Sequence, residues 1–404
     1  MKVLVVAAEL PNMPYTGMHT RPLSLIRALS TCHEVICVGT LPHEGDDTEL
    51  QGLCTAVESV RRPVAARSQH RVALASMRTL VTPVPLISQA KDPLLRRLVD
   101  QALLRHRPDA VQLEAMYTID CRPPSLPTVL DLYDIVSSLC VSASHARPVR
   151  YALAGLQARV VARAEARLLR DLVPVTINDA DRENLAAKGI AAFTIPLAFT
   201  PPASVVPISS DRRLELLFVG AFEQPGNAAA IRFLAHRLLP ELRRRGLPVR
   251  LTIAGRTTRP VPPSSRPDLV FQANVADLAP LYARARAVVV PLAHGGGTKN
   301  KTLEAMAWGR PVLATAPAMT GVAACDGRDY LHVPLDAGAI ADVLARPAGD
   351  LALCQRLGSA ARRYVSEAHS QELVERRVRA LYEALADGGG VSLAERLATS
   401  AEAL

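Results

Sequence analysis

The fold is decided by one stretch of sequence, Ala287-Val-Val-Val-Pro-Leu292 followed by Gly295-Gly-Gly-Thr-Lys-Asn-Lys-Thr-Leu-Glu-Ala-Met-Ala-Trp-Gly-Arg-Pro-Val-Leu-Ala-Thr315. The first, continuously apolar run is typical of a strand buried in a parallel sheet. Behind the glycines a helix can begin, with Thr298 or Asn300 as its N-cap and Gly309 just past its end. Because the stretch closes on a second apolar run, it predicts a strand–loop–helix–strand unit with ligand groups at the carboxyl end of its first strand.

The glycine-rich loop has the features of an anion site. Residues without a Cβ let a ligand approach the backbone, and a helix N-terminus adds free N–H groups and a positive dipole. Lys299 and Lys301 place two of the chain's five lysines, against 42 arginines, in the first turn of that helix. Glu304 follows one turn later as an acceptor for sugar hydroxyls. The pattern indicates a nucleotide-sugar site. The alternative is a purely structural turn, since the spacing matches neither the P-loop nor the dinucleotide motif.

Strands and helices alternate along most of the chain, which predicts two parallel, doubly wound sheets. The proline-rich segment 201–210 separates a first Rossmann-like domain, residues 1–205, from a second, residues 211–370. Because open α/β sheets bind ligands at their carboxyl edges, we expect the active site in a cleft between the two domains. A helix at about 371–386 is expected to pack back on the first domain. The other expected helices lie at about residues 21–30, 93–107, 152–170, 227–245 and 278–284.

Composition places the chain among globular proteins. It has 404 residues, of which 49% are hydrophobic and 21% charged, and no apolar run is long enough to span a membrane. The N-terminal run of residues 1–8 reads as a first strand rather than a signal peptide, so a cytoplasmic location is expected. Seven cysteines without C-x-x-C spacing predict reduced thiols, and neither they nor the ten histidines form a metal-ligand cluster.

The net charge of +9 suggests an anionic partner, although an arginine-rich composition bias also explains it. Aromatic residues make up only 4% of the chain, which argues against nucleic-acid binding. The basic stretches 61–71 and 91–107 are the candidate surface for docking to a lipid membrane or an acidic partner. A solvated helical face is the interpretation we prefer for them.

Over residues 1–385 the sequence resembles the GT-B glycosyltransferases, and its second half resembles family 4, the retaining enzymes that use nucleotide sugars. The resemblance is specific for the donor half and weaker for the acceptor half. In the second half it is carried by Leu217-Phe-Val-Gly-Ala221 with Pro225 and Asn227, Leu251-Thr-Ile-Ala-Gly-Arg256, Val275-Ala-Asp-Leu278 and the helix-start motif from Gly297 to Val312. In the first half it is carried by Gly17-x-x-x-Arg21, His33-Glu-Val35, Asp131-Leu-Tyr-Asp134 and Pro174-Val-Thr-Ile-Asn-Asp179.

The resemblance implies two Rossmann-like domains with a cleft between them and a metal-independent reaction that needs no resident cofactor. A hexose would move from a nucleotide-diphosphate sugar, with UDP expected, to a hydroxyl or amine. The acceptor would be a natural product, a carrier-tethered molecule, a lipid or a polysaccharide. Glu304 would hydrogen-bond the nucleotide ribose, because a carboxylate accepts from two hydroxyls at once. The implied donor-binding residues are Gly17, Gly220, Asn227, Arg256, Gly295, Gly296, Gly297, Thr298, Lys299, Lys301 and Glu304.

Two positions depart from the family pattern. The first glutamate of the family's paired motif falls at Gly296, which leaves the identity of the sugar open. Many relatives carry an arginine and a lysine, six residues apart, where this chain has Ala221 and Asn227. We hypothesise that the positive charge has been relocated, so that Lys299 and Lys301 neutralise the diphosphate.

The expected catalytic residues are Glu114, Asp134 and Lys301. Glu114 stands where relatives often present a histidine to the sugar, and it would orient a hydroxyl or accept the acceptor's proton. A structural cap is the alternative role for Glu114 and Asp134. Two other functions are open: a non-catalytic nucleotide-sugar-binding partner of another transferase, and an epimerase acting on the nucleotide sugar itself.

Overall fold

A computed structural model describes residues 1–11, 17–41, 47–61, 92–138, 151–208, 213–261, 266–295 and 297–387. Gly296, Lys91, the basic residues 62–71 and the tail from residue 388 lie outside this description. The chain divides into two compact units, here called the first and second domains. The first domain comprises Met1–Ala198 with the C-terminal segment from Gln371, and the second comprises Phe199–Ser370.

The first domain is built on a seven-stranded parallel sheet with the order β3-β2-β1-β4-β5-β6-β7. A continuous apolar run forms one of its inner strands, residues 3–7, as expected where helices cover both faces of a sheet, whereas the edge strand of residues 56–61 is partly exposed. The strands are β1 (Lys2–Ala7), β2 (Glu34–Leu41), β3 (Ala56–Arg61), β4 (Ala110–Glu114), β5 (Thr128–Leu132), β6 (Val173–Thr176) and β7 (Phe193–Thr194). Because β1 pairs with both β2 and β4, the chain reverses its direction across the sheet at β1, which is where such folds bind ligands.

Six helices lie within the described residues of the first domain. The C-terminal helix α12 packs against α1, and its Tyr382 and Val378 enter the core formed by β1 and β2. Helix α3 begins where the Asp92 carboxylate accepts from the N–H groups of Leu94 and Leu95. The helices are α1 (Gly17–Ser30), α2 (Thr48–Leu53), α3 (Pro93–His106), α4 (Tyr151–Leu169), α5 (Asp179–Ala186) and α12 (Gln371–Ala386).

The second domain is built on a six-stranded parallel sheet with the order β10-β9-β8-β11-β12-β13. The strands are β8 (Leu214–Val219), β9 (Val249–Gly255), β10 (Leu269–Ala273), β11 (Ala287–Val290), β12 (Val312–Ala314) and β13 (Leu331–His332). The proline-rich residues 199–208 group with this domain. The buried guanidinium of Arg310 donates to the carbonyl of Val206, and Arg362 donates to the carbonyl of Pro202 at 2.6 Å.

The helices of the second domain are α6 (Pro225–Phe233), α7 (Leu239–Arg244), α8 (Ala279–Arg284), α9 (Asn300–Ala307), α10 (Ala337–Gly349) and α11 (Leu351–Ala368). A π-helical segment, Leu234–Leu238, joins α6 to α7, so the helix predicted at 227–245 is interrupted. The predicted N-caps of α9 are wrong: its N-cap is Lys299, which makes no side-chain cap bond. Gly309 does follow the helix, with a φ of 63° that favours glycine.

Candidate functional site

The loop before α9 lies at the carboxyl end of β11, as the sequence predicts. Gly297 adopts a φ of 65°, and its carbonyl accepts a 2.6 Å hydrogen bond from the Lys299 ammonium. A Cβ added to Gly295 would come within 2.8 Å of the Lys299 side chain. The glycines therefore let Lys299 fold back over its own loop. Thr298 is half-buried in this loop.

Lys301 lies in the first turn of α9 and points toward β8. Its ammonium donates to the side-chain oxygen of Asn227 and lies 5.2 Å from the centre of the Phe218 ring. Burial, together with the charge of Lys299, lowers the pKa of Lys301 to about 8. Among the described residues no carboxylate pairs with this lysine, which is held by a neutral amide and an aromatic face, and this suits it to bind an anion.

Asn227 connects this lysine to the end of β8. Its amide nitrogen donates to the carbonyl of Ala221 at 2.9 Å and to Gln224 at 2.8 Å, which leaves its oxygen free to face Lys301. Gly220 is required beside it, because a Cβ there would come within 2.7 Å of the Asn227 side chain. Asn227 therefore positions the lysine in this fold.

Glu304 lies one turn further along α9, half-buried against two aromatic residues. The Tyr282 ring stacks on that of Trp308, with centroids 5.7 Å apart and planes 8° apart. Burial raises the pKa of Glu304 to about 6, and the nearby Tyr282 hydroxyl limits this rise. That hydroxyl is buried and makes no hydrogen bond within the described part of the chain. The site thus presents an acceptor, Glu304, one helical turn from a cation, Lys301.

Arg256 follows β9 at the same sheet edge but does not join this cluster. Its side chain is exposed, and within the described part of the chain it makes no hydrogen bond. Its backbone carbonyl accepts from the N–H of Phe222 at 2.9 Å, which ties the loops after β8 and β9 together. Glu223 reinforces this tie by accepting from the Thr257 hydroxyl at 2.6 Å and the Thr258 N–H at 2.8 Å.

The carboxyl edge of the first sheet holds a separate, buried cluster of charges. Arg21 of α1 is 1% exposed and donates to both oxygens of Asp131, at 3.0 and 2.8 Å. Its third contact is the carbonyl of Pro196, at 2.6 Å. This pairing locks α1 to β5 and to the segment after β7.

Glu114, the last residue of β4, is 1% exposed and lies in register with Asp131. It accepts from Gln112 at 2.6 Å and from the Tyr133 hydroxyl at 3.2 Å. Burial and the charge of Asp131 raise the pKa of Glu114 to about 8. The next residue, Ala115, adopts φ 66° and ψ 157°, a conformation otherwise almost confined to glycine. The carboxyl end of β4 thus combines a strained backbone at Ala115 with a carboxyl group, that of Glu114, whose pKa is raised.

Beside Glu114 lies a cavity of about 10 Å³, close to the space that one water needs. Tyr133 rather than Asp134 lines it, and Asp134 is half-buried beyond the end of β5. Gln112 completes the cluster, because its oxygen accepts from the Tyr382 hydroxyl of α12 at 2.8 Å. The side chains of residues 17–19, including His19, lie outside the part of the chain that the structure describes.

Several of these contacts escaped the sequence analysis. Phe218, Tyr282 and Trp308 come from three separate elements, and no spacing rule joins them. Asp131 gave a usable signal, because it is the one charged residue in the strand Thr128–Leu132.

Two further properties of the described residues concern metal binding and membrane insertion. They contain no group of three or more His, Cys, Asp or Glu side chains placed to hold a metal ion. None of their helices combines the length and apolar character that crossing a membrane requires. Six cysteines lie within the description, and all are free thiols.

Comparison with known proteins links the second domain to a family. Residues 213–350 match the family described as Glycosyl transferases group 1, and this range contains the α9 loop, Asn227 and Glu304. A search of curated protein sequences gave no match.

Solved structures share the fold over nearly the whole chain. Sucrose-phosphate synthase from Thermosynechococcus elongatus is 16% identical, with a TM-score of 0.66 over 96% of this chain and 100% of that one. HepE from Anabaena, in complex with UDP-glucose, is 14% identical, with a TM-score of 0.61 over 96% and 100%. A glycosyltransferase from Rickettsia africae is 13% identical, with a TM-score of 0.60 over 96% and 99%. These structures show that the chain has a two-domain, Rossmann-like GT-B fold, and the family match lies within its second domain.

Proposed function

We propose that this protein is a retaining hexosyltransferase that uses a UDP-sugar and an acceptor hydroxyl or amine. The observation that carries the proposal is the position of the Lys301 ammonium and the Glu304 carboxylate one turn apart on α9. UDP is the favoured nucleotide because HepE, which shares the fold, was solved with UDP-glucose.

The positive groups of the α9 loop suit the leaving diphosphate. Breaking the anomeric C–O bond builds negative charge on the phosphate oxygens, and fixed donors stabilise that charge more in the transition state than in the ground state. Lys301, Lys299 and the first N–H groups of α9 would supply these donors without a metal. The family's usual arginine and lysine are replaced by Ala221 and Asn227, and Asn227 now holds Lys301 in place.

Glu304 would bind the ribose hydroxyls of the nucleotide. A carboxylate accepts from two neighbouring hydroxyls, and here the Tyr282 hydroxyl favours its ionised form. In the first domain, Glu114 would face the sugar or the acceptor. Because its pKa is raised to about 8, it is mainly protonated at neutral pH and would orient a hydroxyl rather than act as a base. Asp134 remains the alternative proton acceptor.

The proposal is tested by donor binding. Trp308 is the only tryptophan of the chain and stacks on Tyr282, so its fluorescence should report occupancy next to Glu304. We expect a panel of UDP-, GDP-, dTDP- and ADP-sugars to give saturable quenching with one nucleotide only. Lys301→Met and Glu304→Gln should each weaken binding by at least about tenfold, since each removes a charged hydrogen bond.

The matched control is Lys188→Met, because Lys188 is an exposed lysine of the first domain whose ammonium donates to Ser137 at 3.2 Å. This variant should bind the donor as the wild type does. If no nucleotide sugar binds, or if the control loses as much affinity as Lys301→Met, the donor assignment is wrong. Donor binding without transfer to any acceptor would instead favour a non-catalytic partner, and conversion of the donor alone would favour an epimerase.

A further inference from the structure

One face of the sheet in the second domain carries polar residues, whereas both faces of a parallel sheet are normally apolar and buried. Along β9 the burial alternates, with Val249, Leu251 and Ile253 buried and Arg250 and Thr252 only half-buried. β9 has neighbours on both sides in the sheet, and strands in such positions are usually apolar on both faces. The alternation indicates that this face contacts solvent or a polar ligand.

A cavity of about 360 Å³ lies on this face, and it falls within the size range of small-molecule sites. Its floor is formed by polar residues from three adjacent strands. Its wall is the end of α8 together with the segment Val206–Pro207. The floor residues are Glu215 of β8, Arg250 and Thr252 of β9, and Gln272 of β10.

The cavity is strongly basic. Four arginines line it, against the single carboxylate of Glu215; they are Arg213, Arg250, Arg284 and Arg286. Arg286 is 5% exposed, so part of this charge is held away from bulk water. Arg250 and Arg284 make no ion pair or side-chain hydrogen bond with any residue in the described ranges. Arg250 is half-buried and Arg284 is exposed at the edge of the cavity, and unpaired guanidinium groups beside a concave site favour an anionic ligand.

This cavity is distinct from the donor residues. Gly220, Arg256 and the α9 loop lie at or beyond the carboxyl ends of their strands, whereas Glu215 and Arg250 lie near the amino ends of β8 and β9. Gly220 is five positions beyond Glu215 in the chain, which is roughly 17 Å along β8. A diphosphate held by Lys301 therefore does not occupy the cavity.

We propose that this cavity is a second binding site, which takes a small molecule bearing phosphate or diphosphate. The volume argues for a small molecule rather than a macromolecular surface, and the planar guanidinium groups match phosphate oxygens in pairs. Apolar residues beside them, such as Leu281 and Ala285, would contact the body of the same ligand.

Inorganic pyrophosphate is the probe, titrated by calorimetry into the full-length protein at low salt. Lys301→Met weakens the donor site, so that pyrophosphate bound there contributes less to the measured heat. We expect binding to persist in that background and to weaken by at least about tenfold when Arg250→Gln and Arg284→Gln are added, since each removes a charged contact. The matched control is Arg356→Gln, an exposed arginine of α11 that does not line the cavity, and it should leave the affinity unchanged.

Loss of all pyrophosphate binding in Lys301→Met would overturn the proposal, because the donor site would then account for every bound anion. Equal affinity of the double variant and its parent would also overturn it. A second experiment, sedimentation with lipid vesicles, distinguishes a lipid headgroup from a soluble phosphate as the ligand. Sedimentation with phosphatidylglycerol vesicles that depends on Arg250 and Arg284, without pyrophosphate binding, would contradict a small-molecule ligand.

Discussion

The charged clusters of the two domains lie at comparable sheet edges, yet they are built in opposite ways. In the first domain, Arg21 and Asp131 are 1% exposed and satisfy each other. In the second, Lys301 and Glu304 are half-buried, and neither is paired with an opposite charge in the described structure. The first arrangement holds a domain together, whereas the second leaves charge available for a ligand.

The largest effect is expected when the paired cluster is broken. Arg21→Met leaves the Asp131 carboxylate buried without its partner, and we expect a loss of about 3–5 kcal/mol in the free energy of unfolding of the first domain. Urea denaturation followed by circular dichroism measures it. The double variant Arg21→Met with Asp131→Leu should recover most of the loss. A change below about 1 kcal/mol in the single variant would show that the pair does not stabilise the domain.

The pH dependence of stability tests the contribution of Glu114 to the buried cluster of the first domain. Its pKa in the folded protein, about 8, lies above the ordinary value of 4.5, so its protonated form favours folding. Its contribution is fully present below about pH 4.5 and is lost as pH rises toward 8. The stability of the wild type relative to Glu114→Gln should therefore fall over this range in urea denaturation. A difference that does not change with pH would mean that burial does not perturb this carboxyl group.

Tyr282 tests whether the second cluster is tuned for binding. Tyr282→Phe keeps the stack on Trp308 but removes the nearby hydroxyl that favours the ionised form of Glu304. The pKa of Glu304 should rise further above 6, and donor affinity at pH 7 should fall by a few-fold, because less of the carboxyl group is ionised. Fluorescence titration at several pH values checks this. If donor affinity falls at the same acidic pH in Tyr282→Phe and in the wild type, Tyr282 contributes only packing to the site.

The smallest effect is expected from Lys299. Donor binding should be strongest between about pH 6, where Glu304 ionises, and about pH 8, where Lys301 loses its proton. Since the charge of Lys299 helps to lower the pKa of Lys301, Lys299→Met should move the basic limb upward by less than about one pH unit. Affinity should fall only a few-fold, because Lys301 remains. If donor affinity falls at the same pH values in Lys299→Met and in the wild type, the two lysines do not interact.

Sequence patterns predicted the fold and its helices closely, whereas the donor-binding and catalytic roles of the site residues stay predictions. The helix expected at 371–386 is observed at Gln371–Ala386, and that at 93–107 is observed at Pro93–His106, because caps and apolar spacing are local signals. The N-cap of α9 was wrong because Lys299 folds over Gly297, a choice made by the loop rather than by capping preference. Asp134 was singled out by its motif, while the cavity beside Glu114 is lined by Tyr133.

The sequence by itself determined the two parallel sheets, the glycine-rich loop and the position of Lys301 and Glu304 on one helix. These features follow from periodicity and from residue types that lie close together in the chain. Only the tertiary structure decided what those groups face. It brought Asn227 and Phe218 to Lys301, Tyr282 to Glu304, and four arginines into one cavity. Burial and pairing depend on which distant segments meet, and no local pattern encodes that meeting.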